Sequence, residues 1–291
     1  FVYCFHMPAF FFISGFLEGE KRRSFSKKKQ AIVKKAKRLM VPYFFLTVVT
    51  AVLKLLFGAF ARNPLNYSTL AVDVLIGRNN PNGGLWFLYA LFIISIFGIL
   101  LDTINRTTLT GTMFVLYMLN TVVFKQSGYA VGFFLSYAWI YFMGGAVRKH
   151  LYEKIKNSEL LMSVKGIVII AVVSVGYMML AFVRIYKSQS WILATAVTVI
   201  GVFLLFVIAV QIEHYHCGEK LWMLLGDYGM DIYMIGYYVQ QAIFVVCGKI
   251  LGFDYLVYAW MMLIFGLIAP IFLSKYVVRK NHMLSTLILG R

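Results

Sequence analysis

The chain has 291 residues, of which 61% are hydrophobic, 17% aromatic and only 13% charged. Soluble domains are about 45–50% apolar and about 25% charged, so an ordinary soluble enzyme is excluded, as is disorder, which requires low hydrophobicity. The 28 Lys and Arg against 11 acids leave a net charge of +17, which signals either nucleic acid or membrane topology; the placement of the charges decides between them.

A membrane-spanning helix needs about 20 mostly apolar residues. Scanning in chain order predicts spans at 1–17, 39–60, 85–101, 108–124, 129–147, 160–186, 191–212, 228–250 and 254–278. None alternates with period two, so a β-barrel is disfavoured. The first span holds His6, Pro8 and the small pair Ser14-Gly15. A histidine in a membrane segment is costly and tends to face the bundle interior or water. Pro8 is expected to kink the helix beside it, and Ser14-Gly15 offers a face for close helix packing. Residues 18–38 follow as a basic segment with ten Lys and Arg. The longest loop, 61–84, carries the turn signals Asn63-Pro64, Asn79-Asn80-Pro81-Asn82 and Gly83-Gly84, with a short interfacial helix expected over 68–76. Lys125–Gly128 suits a tight helical hairpin. Tyr67, Trp86 and Tyr89 suit an interfacial aromatic belt.

Alternating nine spans puts 21 Lys and Arg on one side and 7 on the other. Lys and Arg collect in cytoplasmic loops, so the basic side is expected to be cytoplasmic, with the C-terminus inside. The excess charge is therefore a topology signal, and no nucleic-acid partner is expected. The chain begins at Phe1 inside an apolar run with no signal peptide, so a tenth span is expected ahead of it in the full-length protein. The expected fold is an all-α polytopic transmembrane bundle forming one membrane-embedded domain over 1–291. Cys4, Cys217 and Cys247 are too scattered for a disulfide framework or a zinc site. Glu213-His214-Tyr215-His216-Cys217 has poor metal-ligand spacing, so no metal is expected.

The run His6-Met7-Pro8-Ala9-Phe10-Phe11-Phe12-Ile13-Ser14-Gly15-Phe16-Leu17 resembles the second transmembrane helix of the acyltransferase 3 family, in the branch of sugar O-acetylases related to fucose 4-O-acetylase. Further stretches are similar in the same order: Lys35-Ala36-Lys37-Arg38 ahead of Pro42-Tyr43, Leu85-Trp86-Phe87-Leu88-Tyr89-Ala90-Leu91-Phe92, Phe142-Met143-Gly144-Gly145 before Arg148, and Leu225-Gly226 through Asp231-Ile232-Tyr233. The resemblance implies ten spans, and a first helix bearing a catalytic His that lies outside this sequence. Lys35 replaces an Arg of the family's basic pair and lacks the bidentate fork of a guanidinium. Gly236-Tyr237 stand where many members carry a further His.

The resemblance implies acyl transfer from acyl-CoA, most often acetyl-CoA, to a hydroxyl of a cell-envelope polysaccharide or glycolipid precursor at the inner (plasma) membrane. No cofactor is held permanently; acyl-CoA is a co-substrate. The attacking hydroxyl must lose a proton, so a His base is useful; the resemblance puts that base on the helix outside this sequence, and His6 is the catalytic candidate here, to assist, orient or relay for it. Lys35 and Arg38 are candidates for the phosphates of the donor. Ser14, Trp86 and Tyr233 are candidates to stabilise an oxyanion, and Asp231, an intramembrane acid, is a supporting candidate. Two other readings share the spans. A flippase for a lipid-linked glycan would need Gly/Pro-broken helices in corresponding halves, which are not seen. An O-succinyltransferase of exopolysaccharide synthesis would share the whole fold.

Overall fold

The computed structural model describes residues 4–58, 68–77, 79–123, 130–187 and 190–291. These are predominantly helical and contain no strand. In chain order the helices are α1 (His6–Glu18), α2 (Phe25–Leu56), α3 (Leu70–Leu75), α4 (Trp86–Leu100), α5 (Arg106–Val122), α6 (Ala130–His150), α7 (Tyr152–Lys156), α8 (Val164–Tyr186), α9 (Trp191–His214), α10 (Glu219–Ile243), α11 (Tyr255–Leu273) and α12 (His282–Leu289). Helices α10 and α11 run on into π-helical turns at Phe244–Ile250 and Ser274–Val278. Every predicted span thus coincides with a helix, and the short helix expected over 68–76 is α3. Among the described residues five helices are long and apolar enough to cross a membrane on length and composition: Phe25–Leu56, Val164–Tyr186, Trp191–His214, Glu219–Ile250 and Tyr255–Val278. Trp86–Leu100 is a shorter apolar helix. Residues 124–129, with the expected hairpin connection, lie outside the described residues, as do Asn63-Pro64 and Tyr67.

One expectation is corrected. Helix α2 begins at Phe25, not near residue 39, and runs unbroken through Pro42. Lys, Arg, Ala and Gln are good helix formers, so the basic segment winds into the same rod as the apolar span that a hydropathy scan detects. Pro8 lies in the first turn of α1, where the earliest helical bond is Ala9 N–H to Phe5 carbonyl at 2.8 Å. An amide there has no intrahelical acceptor, so Pro8 removes no helical hydrogen bond.

The chain forms two compact units. Unit 1 comprises Phe1–Lys28 and Ile93–Glu219. Its α1 packs on α6 and α9, α5 on α6, and α8 on α9. Glycines set the α1–α6 approach: a Cβ on Gly15 would lie 1.8 Å from the Tyr141 carbonyl oxygen, and one on Gly144 2.1 Å from that of Phe12. Backbones in such contact gain van der Waals packing that larger residues forbid. Phe11 and Tyr137 stack alongside at 4.7 Å. Unit 2 comprises Lys29–Phe92 and Lys220–Arg291. In it, an Asn-rich turn and tyrosine hydroxyls join α2, α3, α4 and α10.

Candidate active site

Helix α1 presents His6 as its first residue, half-buried. The residues just before it are pinned to α8 and α9. The Phe5 ring meets Tyr177 edge-on at 5.7 Å and presses on Gly201, where a Cβ would come within 2.8 Å of the ring. Thr198 Oγ1 donates to the Cys4 carbonyl at 3.3 Å, and Cys4, Tyr177, Ala181 and Val197 form a buried cluster beneath. The imidazole therefore stands on an ordered base. Ser14, two turns on, is half-buried on the same helix.

The other end of α1 is held by cations. Arg106, 2% exposed, is the largest fully buried side chain among the described residues. Its Nε donates to the Gly19 carbonyl at 3.2 Å and its Nη2 to the Gly98 carbonyl at 3.1 Å. Its guanidinium lies over the Phe142 ring at 5.4 Å. Arg148 Nη1 donates to the carbonyls of Phe16 and Leu17 at 3.0 and 2.8 Å. Helix C-termini carry unpaired carbonyls and partial negative charge, which these two arginines satisfy. The α1–α2 connection is held further by ion pairs. Glu18 pairs with Arg23, Glu20 with Lys149, and Lys28 Nζ lies 2.7 Å from Asp102 Oδ1. The Arg23 amide donates to Asp102 Oδ2 at 2.7 Å. Burial alone would raise the Asp102 carboxyl, but the bonds from Lys28 and Arg23 outweigh it and hold it below the usual carboxylate range. The Lys149 hydrogen bond likewise lowers Glu20.

In unit 2, the basic part of α2 lines a cleft of about 700 Å³ formed by Lys29, Gln30, Val33, Lys34, Lys37, Arg38, Gly290 and Arg291. Residues 30, 33, 34 and 37 share one face of α2 by helical spacing. Lys29, Lys34, Lys37 and Arg38 make no ion pair with an acid among the described residues. A volume of this size falls in the range of ligand sites, about 300–1,000 Å³. Arg38 is among the residues lining the cleft; Lys35 is half-buried and is not. Lys34 and Lys37 occupy the face assigned to Lys35 from the sequence.

The remaining candidates form two other clusters in unit 2. Trp86 opens α4 beside Phe87, whose ring meets Tyr233 edge-on at 5.6 Å. The Tyr233 hydroxyl donates to the Gly84 carbonyl, so it ties α10 to the turn before α4. That turn is built by asparagines. Asn80 Oδ1 accepts from the Asn82 amide at 2.9 Å, Asn82 Oδ1 from the Gly84 amide at 3.0 Å, and Asn80 Nδ2 donates to Thr47 Oγ1 at 2.6 Å. Tyr43, at 0% exposure, donates to the Val74 carbonyl at 2.8 Å. Asp231, wholly buried, accepts from Ser274 Oγ and from Arg279 Nε, the latter at 2.7 Å. Arg279 also donates to the Asp227 carbonyl at 2.6 Å and covers the Tyr228 ring at 3.9 Å. Asp231 is thus part of a charged tether between α10 and the turn after α11. In the Glu213–Cys217 run, Glu213 pairs with Lys156 at 2.8 Å and His216 Nδ1 lies 3.4 Å from Glu219.

An all-helical fold with several membrane-crossing helices defines the class as a multi-pass membrane protein. The acyltransferase 3 family model, described as an acyltransferase domain, matches residues 1–279. The chain belongs to that family and is an acyltransferase. Comparison with curated proteins and with solved structures gives no match.

Proposed function

We propose that this acyltransferase moves an acetyl or related acyl group from acyl-CoA to a hydroxyl of a cell-envelope polysaccharide or glycolipid precursor, as the fucose 4-O-acetylase-like sugar O-acetylases do. The cleft along α2 carries the reading: five cations line a ligand-sized space with no acid in its wall. Such a lining suits a phosphate-bearing donor, because charge-assisted bonds to phosphate are the strong ones. The chemistry is a transfer between oxygen and sulfur. The acceptor oxygen attacks the thioester carbonyl, the hydroxyl proton passes to the His base that His6 assists, the C–S bond breaks, and the proton is returned to the sulfur so that CoA leaves as its thiol. Arg38 holds the donor with Lys34 and Lys37. The 21-to-7 charge distribution supports an inner (plasma) membrane location with the basic side and the C-terminus in the cytoplasm, where acyl-CoA is found.

Membranes containing the protein, incubated with isotope-labelled acetyl-CoA, should pass label to glycan. His6→Ala should lower transfer by at least about 100-fold, and Arg38→Ala should raise the KM for acetyl-CoA, both at unchanged membrane levels. Full transfer by both variants would overturn the residue assignment, and glycan translocation without label would overturn the reaction. Label from succinyl-CoA in place of acetyl-CoA would reassign the acyl group.

A further inference from the structure

The cleft has two walls, and they differ in origin. One is α2. The other is Gly290 and Arg291, at the end of α12, and α12 lies beyond residues 1–279, which match the family. Helix α12 is held at both ends. At its start, Arg279 is anchored by Asp231, the Asp227 carbonyl and the Tyr228 ring. The Asn281 side chain caps the helix, accepting from the Met283 and Leu284 amides at 2.9 and 3.2 Å. At its end, Gly290 adopts φ +65° and lies directly on α2. A Cβ there would lie 2.5 Å from Arg38 Cα and 2.6 Å from the Lys37 carbonyl oxygen. Both atoms are backbone and cannot swing aside, so glycine is required by conformation and by space. Leu289, 1% exposed, is buried beside it.

We infer that α12 is a second wall of the donor cleft, with Gly290 setting its distance from α2 and Arg291 adding a cation to those of Lys34 and Lys37 to grip the phosphates of the ligand. This rests on the donor reading of the cleft. The Asp231–Arg279 tether then has a role besides joining helices: it places the start of the wall. Arg291 acts on binding, and Gly290 is a positioning residue.

The test uses the purified protein in lipid nanodiscs and two probes, pyrophosphate and CoA, with affinity read by titration. Arg291→Gln and Gly290→Ala should each weaken pyrophosphate binding by about fivefold, the loss of one partly solvated charge contact, and Lys34→Gln should do the same from the α2 wall. Under turnover, Gly290→Ala should raise the KM for acyl-CoA and leave kcat near wild type. Pyrophosphate affinity that falls in Lys34→Gln but stays at the wild-type value in both α12 variants overturns the second wall. A protein whose pyrophosphate affinity falls in all three variants while CoA fails to compete supports the wall and overturns the donor reading. Since Arg291 is exposed, Arg291→Gln should fold normally, which keeps the test decisive if Gly290→Ala does not accumulate.

Discussion

The two units use their cations in opposite ways. In unit 1, Arg106 and Arg148 cap helix ends, and Arg23, Lys28 and Lys149 meet Glu18, Asp102 and Glu20. In unit 2, Lys29, Lys34, Lys37, Arg38 and Arg291 line a cleft without an acid. A paired or carbonyl-capping cation lowers the energy of the fold. A cluster of like charges left side by side raises it slightly. Lys28 and Lys29 are neighbours on one helix and fall on opposite sides of this division.

The contrast yields graded predictions. The steepest concerns the packing that both arginines of unit 1 protect. Gly15→Val should prevent accumulation of folded protein, because its Cβ would overlap the Tyr141 carbonyl and overpacking costs up to about 3 kcal/mol or more; detergent-solubilised yield checks it. Next, Arg106→Met should lower stability by about 2–3 kcal/mol by leaving buried carbonyls without a donor, seen as a drop in Tm. A full-stability Arg106→Met variant would remove Arg106 from the group of structural cations. Asp102→Asn should cost about 2 kcal/mol, with Lys28 left partly buried beside a neutral group. The carboxyl is depressed in the fold, so its contribution is present above the ordinary value of about 3.9 and is lost as pH falls through its lower folded value. The Tm gap between wild type and Asp102→Asn should therefore be constant near neutrality and close below about pH 4. The smallest stability effect belongs to the cleft. Lys34→Gln or Lys37→Gln should leave Tm within the change expected for exposed sites, about 0.5 kcal/mol, while weakening donor binding. A large stability loss in these variants would erase the distinction between the units.

Much of the fold was legible because apolar length is a local property. Among the described residues each of the nine stretches coincides with a helix over most of its length, and Ser14-Gly15 does mark a close packing face, through Gly15. What the sequence does not show are features that depend on helix phase or on remote partners. Lys35 is paired with Arg38 by the family's basic motif; the cleft is lined by Lys34, one position before it, and by Lys37, two positions after, and a step of 100° per residue separates these faces. Arg106 read only as one more charge in a short loop. Its isolation between two spans, beside Asn105, was the available signal, but burial against Gly19 and Gly98 brings together stretches far apart in sequence. Tyr233, a candidate oxyanion donor by sequence, has its hydroxyl bonded to the Gly84 carbonyl, a partner no local pattern reveals. The assignments of His6 and Arg38 rest on their positions in the family motifs together with their ordered or ligand-facing settings.

The amino-acid sequence by itself determined the all-helical membrane fold and the family, since these follow from run lengths, residue order and composition. Only the tertiary structure decided which lysine of Lys27-Lys28-Lys29 meets Asp102, which face of α2 opens into a cleft, and that Gly290 closes its far side. Those outcomes depend on which backbone or carboxylate arrives from a distant segment, and side-chain electrostatics follows distance in space rather than along the chain.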